Sequence, residues 1–158
     1  MIGEYMRKLL LAAATSVAFM GVASADPTVN IPLTATLPKQ CNVTAFLNGP
    51  FDALDPLVTT VQGSESLSPI CNYGGTLQVT FTSNNAGKLV SGTNEIPYTF
   101  YVSGGLASDV SLAAPLVVAS WPAVANAVQT RSMSVRLTTP ATVAGTYQDI
   151  IVASVAPN

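Results

Sequence analysis

The sequence predicts an all-β chain folded as an antiparallel β-sandwich. Several short stretches alternate apolar and polar residues with period two, which sends successive side chains to opposite faces of a strand. Gly, Pro and Asn punctuate them at close spacing, and no stretch carries the 3.6-residue apolar period of an amphipathic helix. Seven or so short strands joined by tight turns pack as two sheets face to face.

The chain opens with Arg7 and Lys8, an apolar run over residues 9–22, and then Ala23, Ser24 and Ala25. A basic start, an apolar middle and small residues before a cut after Ala25 make residues 1–25 an export signal. No Cys follows the cut, so a lipid anchor is not expected. Residues 26–158 then form one ordinary domain, and no later run is apolar for long enough to insert in a membrane as a helix. After position 25 the basic residues are Lys39, Lys88, Arg131 and Arg136. So few, and so scattered, they argue against nucleic acid or anionic lipid as partners, both of which need clustered cations.

Residues 28–37 (TVNIPLTATL) are the first strand candidate, with Val29, Ile31, Leu33, Ala35 and Leu37 on one face. Residues 41–47 are a second β-type run, closed by the turn formers Asn48, Gly49 and Pro50. Asn42-Val43-Thr44 matches a glycosylation acceptor but is read as an unmodified strand start. A short strand is expected over residues 57–62, ended by Gly63, and another stretch over 67–72 carries Cys71. Residues 76–83 (TLQVTFTS) are the clearest strand, with Leu77, Val79 and Phe81 alternating against Gln78, Thr80 and Thr82. A short piece at 88–90 and the aromatic strand 95–103 follow, with Pro97 near the start of the latter, where a missing N–H is tolerated. Residues 106–130 lack a sustained period. They suggest a strand at 116–119 and a surface crossover around 121–129, where a short helix at 124–128 is an option and Trp121 is a packing residue. Met133, Val135 and Leu137 restore the alternation, and residues 146–156 form the last strand. Its run Ile150-Ile151-Val152 reads as a strand flanked and covered on both sides.

Cys41 and Cys71 are the only cysteines and form an even pair in an exported chain, so a disulfide is the default reading. Closing a loop of about 30 residues contributes about 3–4 kcal/mol in the chain-entropy treatment. A metal site would want more ligands and a nucleophilic Cys would want a His, of which the chain has none. Without His, acid–base chemistry would fall to carboxylates, and Asp52 and Asp55, three residues apart in a loop, are read as solvent-facing. No enzyme activity and no cofactor are expected.

These residues also resemble a family. A signal peptide, an alternating N-terminal strand, Cys41 heading the first domain strand, Cys71 ahead of a Gly-rich turn and TLQVTFTS, and the closing A-G-T-Y-Q-D segment at residues 144–149 are together similar to the spore coat protein U domain, which includes subunits of archaic chaperone–usher pili. The resemblance spans most of residues 28–156 and is weakest over 106–130. It implies an Ig-like sandwich over residues 41–158 that lacks its last strand. Donor-strand exchange would complete it, with residues 26–40 of the next subunit serving as donor strand and linker. Val29, Ile31, Leu33, Ala35 and Leu37 would then fill the neighbour's groove, and the last strand, with Tyr147, Ile150, Ile151, Val152 and Val155, would flank that groove. The implied partners are identical or related subunits, a periplasmic chaperone and an outer-membrane usher. The implied product is a surface pilus for adhesion and biofilm formation. The alternative is a self-contained secreted sandwich that acts as a binding module or coat protein. Pro32, which lacks an N–H, and the ending Ala156-Pro157-Asn158, which lacks a bulky apolar side chain, depart from the family pattern.

Overall fold

The computed structural model describes residues 29–46 and 51–158. The export signal expected over residues 1–25, together with residues 26–28 and 47–50, lies outside the described residues. The chain divides into two compact units, Met1–Ala35 and Thr36–Asn158. In the first, residues 29–35 have no regular secondary structure and are exposed throughout.

The second unit, among its described residues, is built from strands and turns without helix. In order they are β1 (Cys41–Phe46), β2 (Val61–Cys71), β3 (Gly75–Ser83), β4 (Lys88–Ser91), β5 (Asn94–Val102), β6 (Ala107–Ser111), β7 (Leu116–Ala123), β8 (Arg131–Leu137) and β9 (Ile151–Pro157). One sheet runs β1-β2-β8-β5-β4, with β6 also paired to β5, and the other runs β7-β3-β9. Every strand pair is antiparallel. This is the all-β sandwich that the alternation and turns predict.

The core follows from the period-two pattern. Leu77, Val79 and Phe81 of β3, Ile96, Tyr98, Phe100 and Val102 of β5, and Met133, Val135 and Leu137 of β8 are all buried. The Phe81 ring packs on Phe100 with centroids 4.9 Å apart at a 56° tilt, a geometry that aromatic pairs favour, and on Trp121 at 6.4 Å.

Three expectations are corrected. Residues 57–60 are not strand, and Gly63 does not end one: it lies inside β2, where the register shifts against β8 between Gln62 and Glu65. Its φ of 71° is a left-handed conformation open to glycine, and the Phe51 ring occupies the space that a side chain would need. In the unreadable region, β6 precedes β7, β7 runs on past Ala119 to Ala123, the short helix does not form, and the surface crossover from one sheet to the other spans residues 124–130 rather than beginning at Trp121. Trp121 is fully buried and donates its indole N–H to the Gln129 carbonyl at 3.0 Å. Finally, the last strand begins at Ile151, not at 146, and among the described residues it pairs with β3 alone. It is an edge strand rather than one flanked on both sides, and Ile150 and Val152 are 62% and 47% exposed.

Candidate functional site

Among the described residues, β1 pairs only with β2 and β9 only with β3. The two sheets therefore each end in a strand with one unpaired edge, and these two free edges flank an apolar cavity of about 380 Å³. Val43 and Ala45 of β1 form one wall, and Ile151 and Ala153 of β9 the other. Leu67, Phe81, Phe100, Met133 and Val135 line it from the core. A closed sandwich would place a strand here. Exposed edge N–H and C=O groups beside an apolar trough are what strand addition uses: the backbone pairs with an edge and alternate side chains drop into the trough.

At one end the walls converge on Tyr73. Its hydroxyl donates to the Thr76 carbonyl at 3.3 Å, accepts from the Asn158 backbone N–H at 3.1 Å and lies 3.6 Å from Cys41 Sγ. The Lys39 ammonium sits 4.7 Å above the Tyr73 ring and donates to the Asn158 carbonyl. Cys41 and Cys71 are disulfide-bonded across the β1–β2 pair with Cα atoms 4.1 Å apart. Beside them Asn72 clamps the lead-in to β1, accepting from Gln40 N–H and donating to the Pro38 carbonyl, both at 2.9 Å.

At the other end stands Asp149, the last residue of the A-G-T-Y-Q-D segment. One carboxylate oxygen accepts from Ser83 Oγ and from the Tyr98 hydroxyl, each at 2.6 Å. The other accepts from the backbone N–H groups of Asn85 at 3.0 Å and Ile150 at 2.7 Å. Burial, then the bond to Asp149, pushes the Tyr98 phenol above its usual range and keeps it a neutral donor. A second, more polar cavity of about 590 Å³ adjoins here, lined among others by Asp52, Thr146, Gln148 and again Asp149.

Of the last-strand residues singled out in the sequence, Ile151 lines the apolar cavity. Val155 is half-buried against the core, and Val152 and Ile150 are largely exposed. Tyr147 precedes β9 and donates its hydroxyl to the Val143 carbonyl at 2.8 Å. In the expected donor stretch Val29, Ile31, Leu33 and Leu37 are 82%, 78%, 93% and 80% exposed, and Ala35 is exposed too. Asp55 accepts from the Leu57 N–H at 2.9 Å as a turn residue, and Asp52 is exposed. Among the described residues no group of three or more His, Cys, Asp or Glu side chains could hold a metal. Sequence reasoning missed Val43, Ala45, Phe51, Leu54 and Ala153 as groove residues. It quoted Asp149 only as part of a motif.

The fold and this groove define a class: an all-β antiparallel sandwich with an apolar cavity between the edge strands β1 and β9. No protein-family model and no curated protein matches the chain. A solved structure similar to it is the CsuC–CsuE chaperone–tip adhesion subunit pre-assembly complex from the archaic chaperone-usher Csu pili of Acinetobacter baumannii. The identity is 17%, the match covers 77% of this chain and 40% of that chain, and the TM-score is 0.47.

Proposed function

We propose that this protein is a non-enzymatic structural subunit that polymerises head to tail, each copy completing the sandwich of the next with residues 28–37. The observation that carries the reading is the apolar trough between the free edges of β1 and β9. The same chain carries an alternating stretch whose large apolar side chains, Val29, Ile31, Leu33 and Leu37, are exposed in the single chain. Burying Val29, Ile31, Leu33 and Leu37 at about 1.5–3 kcal/mol apiece gives a gross gain of about 6–12 kcal/mol before ordering costs. Backbone bonds along a free edge add to it. Pro32 can donate to neither edge, so it faces away from a ladder or sits at an irregularity.

In this reading residues 1–25 direct export and are removed, residues 26–40 are the donor strand and its linker, and residues 41–158 are the acceptor domain. An unfilled groove exposes aggregation-prone edges, so transit through the periplasm calls for a chaperone that covers it and an outer-membrane usher that receives the subunit. The filament then stands on the cell surface and serves adhesion and biofilm formation. Deleting residues 28–37 tests this. We expect filaments and detergent-resistant oligomer ladders to disappear while the acceptor domain stays folded. Ladders that persist would contradict the proposal and favour a self-contained secreted module.

A further inference from the structure

We propose that Asp149 is a positioning residue that holds the groove open and in register before a strand arrives. An empty apolar trough in water is driven to close, since collapse of β9 onto the core would remove apolar surface from solvent. Something must oppose that at the free edge, and the A-G-T-Y-Q-D segment supplies it. Asp149 Oδ2 accepts from Ser83, at the end of β3 in one sheet, and from Tyr98, in β5 of the other. A single atom thus spans the two layers at the mouth of the groove. Oδ1 accepts from the backbone of Asn85 and Ile150, which fixes the residue immediately before β9.

The partners are themselves tied. Ser83 Oγ accepts from Gly87 N–H at 2.6 Å, and the Gly87 carbonyl accepts from Tyr98 N–H at 3.0 Å. Asn85 Nδ2 donates to the Gln148 carbonyl at 3.0 Å, and Gln148 and Val90 exchange backbone bonds at 3.0 and 3.1 Å. Bonds to an ionised carboxylate are the stronger kind, and a wall held in place spares an incoming strand the cost of ordering it. The residue therefore acts on the rate of strand capture more than on the strength of the filled state, where the inserted strand itself keeps the walls apart.

The inference rests on the strand-acceptor reading above. Its test uses the full chain and a fluorescent synthetic peptide with the sequence of residues 28–37, following capture by anisotropy and the heat resistance of the filled form on gels. Asp149→Ala is expected to slow capture about tenfold, in line with the loss of bonds to a charged acceptor, and to leave the heat resistance of the filled form unchanged. Asp149→Asn, which keeps an acceptor oxygen, is expected to recover most of the rate. If Asp149→Ala fails to fold, Tyr98→Phe removes a single hydroxyl and is expected to slow capture in the same sense. Capture at the wild-type rate in Asp149→Ala or, where that chain does not fold, in Tyr98→Phe would overturn the role of Asp149 alone. So would a fall in the heat resistance of the filled form in proportion to the rate. Failure of the unsubstituted chain to capture the peptide would overturn the strand-acceptor reading, and this inference with it.

Discussion

Residues 28–37 and residues 76–83 carry the same alternating pattern and meet opposite fates. In β3, Leu77, Val79 and Phe81 lie fully buried between strands β7 and β9. In the earlier stretch Leu33, at the centre of its apolar face, is almost wholly exposed, and among the described residues no strand pairs with it. Period two states that one face wants burial; it does not state whose core provides it. β3 finds that core in its own domain, while the earlier stretch presents an apolar face with no cover. The domain in turn holds an apolar trough between the free edges of β1 and β9, to which the same stretch of another copy is proposed to add.

The largest expected effect is on the buried member. Phe81→Ala should lower the unfolding free energy of the unassembled chain by about 3–5 kcal/mol in urea titration, whereas Leu33→Ala should change it by less than about 0.5 kcal/mol. Similar costs at the two positions would dissolve the contrast. Next, Leu33→Asp should leave the urea midpoint of the single chain unaltered and sharply reduce ladder formation, because under the proposed assembly it would place a charge in the neighbour's apolar groove. Equal loss of monomer folding would place Leu33 in its own domain's core.

The smallest effect concerns the polar margin of the groove. The Tyr98 pKa is raised in the folded chain, so its contribution is complete below the unfolded value of about 10 and is lost as pH rises beyond it towards the folded value. Tyr98→Phe should therefore flatten the alkaline decline of the melting temperature. An unchanged decline would detach Tyr98 from it.

The strands with unbroken alternation, β3 and β8, were legible because each has one face on the core. β7 was not, because its register shifts opposite Leu77 and Val79, so that Val118 and Trp121, three residues apart, both point inward. A bulge breaks the period that a reader counts. β9 misled in another way: Ile150-Ile151-Val152 looks like a strand covered on both sides, yet the structure leaves its edge free, and an apolar run does not say which partner covers it. The Cys41–Cys71 pairing was readable from number and compartment. The groove was implied only through the family resemblance and only on its last-strand side; its other wall, Val43 and Ala45 of β1, was not legible, since β1 and β9 stand at opposite ends of the domain. Nor were the ties of Asp149, whose partners Ser83 and Tyr98 stand 66 and 51 residues away.

The most direct measurement of the central claim mixes two disabled chains. Leu33→Asp spoils the donor stretch and keeps an intact groove, whereas Ala153→Arg obstructs the groove wall and keeps an intact donor stretch. Neither chain should form ladders alone. Mixed, they should give a detergent-resistant dimer and nothing longer, because one donor and one acceptor remain. Ladders from either chain alone, or no dimer from two folded chains, would contradict the account.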